Sequence, residues 1–118
     1  MNGIIVAMGG AIGAVLRYLI GLLPLNPQNG FPLKTFCINM VGAFVIGLVA
    51  ALSARASLNP RFTLFLKVGI CGGFTTFSSF ALETETLLGK GNQTVALLYV
   101  ASSLVCGVLA VAVAESLV

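Results

Sequence analysis

Four apolar stretches, each long enough to cross a bilayer as a helix, leave this chain little choice of solvent. They run from Asn2 to Leu23, Lys34 to Ser53, Arg61 to Leu88 and Asn92 to Val118, with short polar connections between them. A helix needs about 20 apolar residues to traverse the hydrocarbon, and there only a helix or a closed barrel satisfies its own backbone. Of the 118 residues, 58% are hydrophobic and 8% charged, a balance that ordinary soluble domains do not reach. The expectation is an all-α integral membrane protein, with residues 1–118 forming a single four-helix transmembrane domain without extramembrane additions. So small a bundle buries little surface by itself. Its many small residues suit packing between copies as well as within one, and an oligomer is expected.

Several function classes fall away at once. The net charge of +3 comes from six cations scattered along the chain, which argues against a nucleic-acid patch or a polybasic lipid site. There is no histidine. Cys37, Cys71 and Cys106 lie inside apolar segments without zinc or disulfide-framework spacing, and are read as small buried hydrophobes. With no metal set and no activated nucleophile, an enzyme is not expected. The N-terminus lacks a charged lead and a cleavage site, so the first segment should stay as a membrane helix.

The third segment is the least like a lipid-facing helix. Gly69-Ile70-Cys71-Gly72-Gly73-Phe74-Thr75-Thr76-Phe77-Ser78-Ser79-Phe80 sets glycines beside threonines. Gly costs roughly 1 kcal/mol against Ala in a helix, and Thr hydroxyls compete for backbone partners. A break at Gly72 to Thr75 is expected, in a segment longer than one crossing needs. Backbone freed at that depth must be satisfied by protein or by a watery cavity. Phe77 and Phe80 share one face, and Glu83 lies three further along it; Glu85 is assigned to a solvated helix end.

Polar or small side chains form stripes elsewhere. Gly9, Gly10 and Gly13 give the first segment a face for close helix approach, and Arg17 one turn on either snorkels to headgroups or faces a watery vestibule. In the second segment Thr35, Asn39, Gly42, Ala43 and Gly47 line up. Asn39, well inside the membrane, serves either as a clasp between helices or as a donor lining a path. Its isosteric change Asn39→Asp is expected to keep shape while adding charge. Tyr99, Ser103 and Gly107 recur every four residues in the last segment. The side chains of Thr35, Asn39, Thr76, Ser79, Tyr99 and Ser103 all donate hydrogen bonds and none is charged.

Cations also bear on orientation. With four crossings, Arg55, Arg61 and Lys67 fall to one membrane face and Arg17, Lys34 and Lys90 to the other. Lys/Arg bias in short loops sets topology, so an even split predicts insertion both ways. Oppositely inserted copies can pair as an antiparallel, dual-topology homodimer, a symmetry related to that of inverted repeats.

Residues 9–18 (GGAIGAVLRY), 35–47 (TFCINMVGAFVIG) and 69–80 (GICGGFTTFSSF) together resemble the Fluc (CrcB) fluoride channels over essentially the whole chain, the third motif most specifically. The resemblance implies antiparallel homodimers in a bacterial-type inner membrane, with two pores lined by both subunits that let fluoride leave the cytoplasm, and a sodium ion at the dimer centre. It implies pore roles for Phe77, Phe80 and Asn39, and a polar track of Tyr99, Ser103, Ser79 and Glu83 beside Thr76. Arg17 becomes the vestibule arginine, and the backbone carbonyls of Gly72 and Thr75 become sodium ligands. Lys34 departs from the usual glycine, Ser79 from threonine, and Gly107 from the serine of some members.

The physics suits that role. A pore must replace fluoride's tightly held water with donors, yet a fixed cation inside would trap it; neutral donors and the positive edges of aromatic rings avoid the trap. One rival is an exporter of the small multidrug resistance kind, whose chemistry needs a carboxylate in the first helix; none is present there. The other is a non-transporting assembly subunit, in which the stripes would only clasp helices.

Overall fold

The computed structural model describes residues 1–118. Helix α1 spans Asn2–Gly21 and α2 spans Leu33–Ala56. The loop between them is held by its asparagines: Asn29 Oδ1 accepts from the Phe31 N–H at 2.9 Å, and Asn26 Oδ1 from the Lys34 N–H at 3.0 Å. The second bond satisfies one of the donors that a helix start leaves open. Gly30 sits at φ +88°, in the region glycine enters without strain. Helix α2 runs a turn past Ser53, because Ala54, Arg55 and Ala56 favour helix. It ends where Ser57 turns left-handed at φ 51°, and the Arg55 guanidinium donates to the Val118 backbone carbonyl.

Helix α3, Pro60–Leu64, starts on two local signals. Asn59 accepts from the Arg61 N–H at 2.8 Å, and proline occupies the first turn, where its missing donor costs nothing. It continues into a π-helical segment, Phe65–Cys71, and then α4, Gly72–Phe74. Thr75 (φ −81°, ψ 158°) and Thr76 (φ −148°, ψ 120°) are extended, and Gly72 itself is helical at φ −63°, ψ −38°. Helix α5, Phe77–Gly89, begins with the Thr76 hydroxyl accepting the Ser79 N–H at 3.1 Å. After Gly91 at φ +78°, helix α6 spans Gln93–Ser116.

Four spans are long and apolar enough to cross a membrane: Asn2–Gly21, Leu33–Ala56, Pro60–Gly89 and Gln93–Ser116. They pack in two pairs, α1 against the π-helical segment and α4, and α2 against α6. Small residues set both contacts. A Cβ on Gly9 would lie 2.6 Å from the Phe65 carbonyl oxygen and 2.8 Å from the Gly69 Cα, and one on Gly47 would lie 2.8 Å from the Val111 carbonyl. The glycine face of the first segment therefore meets the third span backbone to backbone. A compact cluster of Leu87, Ala96 and Tyr99, with Phe31, Phe36, Phe80 and Val95 against it, ties α5 and α6 to the start of α2.

Only 16 of the 118 residues are buried, so most of the apolar surface is exposed in the single chain. The cysteines follow that division. Cys71 is buried as expected, but Cys37 is half-buried and Cys106 exposed on α6, because the second and fourth spans enclose too little volume to bury all their apolar residues.

Candidate functional site

The polar stripes meet at Thr75 and Thr76. Extended backbone there leaves the helical ladder, and its peptide groups need partners. Asn39 supplies two: its Nδ2 donates to the Thr76 carbonyl at 3.1 Å and its Oδ1 accepts the Thr76 N–H at 2.9 Å. A side-chain amide matches a peptide group donor for acceptor, so this one residue of α2 serves as a strand partner within the bundle. One Nδ2–H of Asn39 is left over. The Thr75 hydroxyl donates to the Cys71 carbonyl at 2.9 Å, and Arg17 Nε of α1 donates to the Gly73 carbonyl at 3.2 Å. Arg17 is thus held on the third span by a carbonyl at the end of α4, half-buried rather than simply extended to the headgroups.

Two concave spaces flank this point, and Thr76 lines both. The first, a groove of about 390 Å³, is bounded by Asn39, Gly72, Thr75, Phe77, Phe80 and Ser103, with Gly107 further along. Phe77 and Phe80 stand with ring centroids 5.8 Å apart, and Phe80 continues to Tyr99 at 5.0 Å. Their exposures differ sharply: Phe77 is 78% exposed, while Phe80 is half-buried against the aromatic cluster. The Ser103 hydroxyl is buried without a hydrogen-bond partner. An unpaired buried hydroxyl is costly, and this one borders the groove.

The second space, a cavity of about 340 Å³, holds Arg17, Lys34, Thr35, Ser79 and Glu83. Glu83 is the hub of a three-helix network. Thr35 Oγ1 of α2 donates to its Oε2 at 2.8 Å, and the hydroxyl of Tyr99 of α6, 0% exposed, donates to its Oε1 at 2.9 Å. Both carboxylate oxygens are therefore engaged by neutral donors, which is how a half-buried charge is accommodated without a direct ion pair.

Of the site residues expected from the sequence, all but Tyr99 line one or other space. Arg17, Thr76, Ser79 and Glu83 line the cavity; Asn39, Gly72, Thr75, Thr76, Phe77, Phe80 and Ser103 line the groove; Tyr99 lies behind Phe80 and bonds to Glu83. The sequence did not disclose the bonding of Thr35 and Tyr99 to one carboxylate, since that pairing depends on where α2 and α6 cross α5. It did not disclose the pair of hydrogen bonds between Asn39 and Thr76 either; the only signal was an amide deep in a membrane span. As for a metal, no hydrogen bond of the chain ends on the Thr75 carbonyl oxygen, and a Cβ on Gly72 would meet nothing within 4 Å. The free Thr75 carbonyl is a hard oxygen of the kind an alkali cation such as sodium takes, and one such oxygen does not enclose an ion.

Similarity to known proteins agrees with this geometry. The family model described as CrcB-like protein, Camphor Resistance (CrcB), matches residues 4–114. A protein of Novosphingobium aromaticivorans named fluoride-specific ion channel FluC is 47% identical over 106 residues, covering 87% of this chain and 84% of its own. One of the same name from Thermus thermophilus is 47% identical over 105 residues, covering 88% and 84%. Another from Agrobacterium fabrum is 44% identical over 115 residues, covering 94% and 90%. Four spans of membrane-crossing length and a match running from one end of the bundle to the other lead to one conclusion: the chain is a multi-pass bacterial membrane protein and belongs to the CrcB family.

Proposed function

We infer that the chain is a fluoride-specific ion channel that lets fluoride leave the cytoplasm down its electrochemical gradient. The observation that carries this reading is the near end-to-end match to relatives of that name. The chemistry of the two spaces supports it. A small, strongly hydrated anion needs donors to replace its water, and the groove offers the free Nδ2–H of Asn39, the unpartnered Ser103 hydroxyl and ring edges of Phe77 and Phe80. None of these is a fixed cation that would hold the ion too long. Arg17 stands at the adjoining cavity, where a charge attracts anions without lying among the phenylalanines. Thr76 borders both spaces, and Ser79 and Glu83, the latter bonded by Tyr99, give the cavity its polar side.

In this reading the working unit is an antiparallel homodimer with two pores, inserted in both orientations in the bacterial inner membrane. Phe77, largely uncovered in one chain, completes its surroundings with the second copy. The break of the third helix around Thr75 brings the Gly72 and Thr75 carbonyls to the two-fold axis, where two chains together give a sodium ion enough oxygen ligands. Sodium there is structural: it neutralises the facing carbonyl dipoles and fixes the two copies. Expression in a bacterium lacking its own fluoride exporter tests the function. Growth in fluoride that depends on this gene is expected; growth no better than with empty vector overturns the reading.

A further inference from the structure

Lys34 entered the sequence reading only through the cation count for orientation and as a departure from the usual glycine, with no part in the site. It lies in the first turn of α2, and its Nζ donates to the Gly21 carbonyl at the end of α1 at 2.9 Å. That bond ties the ammonium to the end of α1, where Gly21 also lines the cavity, instead of letting it extend freely. Lys34 lines the same 340 Å³ cavity as Arg17, Ser79 and Glu83. Glu83 is the cavity's sole carboxylate and is already engaged by Thr35 and Tyr99, while Arg17 is turned to the Gly73 carbonyl. The positive end of the α2 dipole adds to the potential at Lys34. Two cations against one hydrogen-bonded carboxylate give the cavity a positive balance, in a concave, partly apolar setting that focuses field lines.

We propose that Lys34 is a second, capture-enhancing cation of the anion vestibule, acting with Arg17 to raise the local fluoride concentration at the mouth of the path. It attracts the ion from outside the narrow region and does not bind it within. This rests on the channel reading above. An electrostatic role has a signature that a merely structural one lacks, because it weakens as salt screens the charge.

The test is fluoride current through purified protein in neutral-lipid bilayers, at low fluoride, with ionic strength set by an impermeant organic salt. Between about 0.01 M and about 1 M the Debye length falls from about 30 Å to about 3 Å. Lys34→Gln should pass roughly two- to fivefold less fluoride than wild type at low ionic strength, one charge's share of the roughly 10- to 1000-fold that focusing by a whole charged cleft gives, and match it at high ionic strength. Lys34→Arg should behave as wild type. Equal currents for Lys34→Gln and wild type at low salt overturn the proposal, as does a deficit that persists unchanged at high salt or appears equally in Lys34→Arg. Wild-type protein that passes no fluoride overturns the channel reading and this proposal together, whereas the other adverse outcomes leave the channel reading standing.

Discussion

Asn39 and Phe80 separate two kinds of consequence. Removing the amide in Asn39→Ala strands both the N–H and the carbonyl of Thr76, at about 1–3 kcal/mol for each group left unpaired, so the variant should melt earlier in detergent. An unchanged melting temperature would mean the pair of hydrogen bonds contributes nothing. Asn39→Asp is less innocent than its isosteric shape suggests. One carboxylate oxygen still accepts from the Thr76 N–H, but the other then opposes the Thr76 carbonyl, so this variant should lose stability along with flux. Phe80→Leu roughly keeps apolar volume and should cost about 1 kcal/mol; Phe77→Leu, on a site 78% exposed, should cost the fold about 0.5 kcal/mol or less. Both should stay assembled by size-exclusion chromatography while fluoride efflux falls at least tenfold. Intact assemblies conducting at wild-type rates would remove the rings from the path.

Helices carry the next level, and here glycines differ by what faces them. Gly13 has the Ile70 carbonyl and the Phe74 nitrogen, 2.7 Å away, where a Cβ would go. Backbone cannot yield as a flexible side chain does, so Gly13→Ala should destabilise the α1 contact by about 1–3 kcal/mol, seen as lower yield and earlier melting. Gly72→Ala meets nothing within one chain and should leave the single chain's fold intact while weakening the dimer; a fully wild-type dimer would argue that no second copy approaches there. The sequence made the first contact readable, since a small-residue face in an apolar span has few other uses. It was less informative about the third span. Gly72 is helical despite its propensity, because packing of Gly73 on α1 and the bond from Arg17 hold that turn, and Thr75 and Thr76 carry the extended backbone. The Thr35, Glu83 and Tyr99 network was hidden for a different reason. Spacing along one helix reports a shared face, but which carboxylate oxygen meets which hydroxyl depends on how three helices cross.

At the scale of the whole molecule, one chain leaves much of its surface uncovered. Phe77 is uncovered, the Thr75 carbonyl has no partner, and few residues are buried. In the proposed dimer a second, inverted copy would answer all three, and the even division of cations would permit both insertions. Reporter fusions at the C-terminus should therefore signal from both membrane faces in comparable amounts, and a single orientation would rule out dual topology. Exhaustive replacement of sodium by a large organic cation should weaken the dimer or its transport; if neither changes, the carbonyl site is not a sodium site. The central claim, a selective fluoride path, is tested most directly by reconstituting purified wild-type protein into liposomes and following anion efflux with ion-selective electrodes. Rapid release of fluoride with chloride retained is the predicted result, and vesicles that keep their fluoride, or release chloride as readily, would contradict the account.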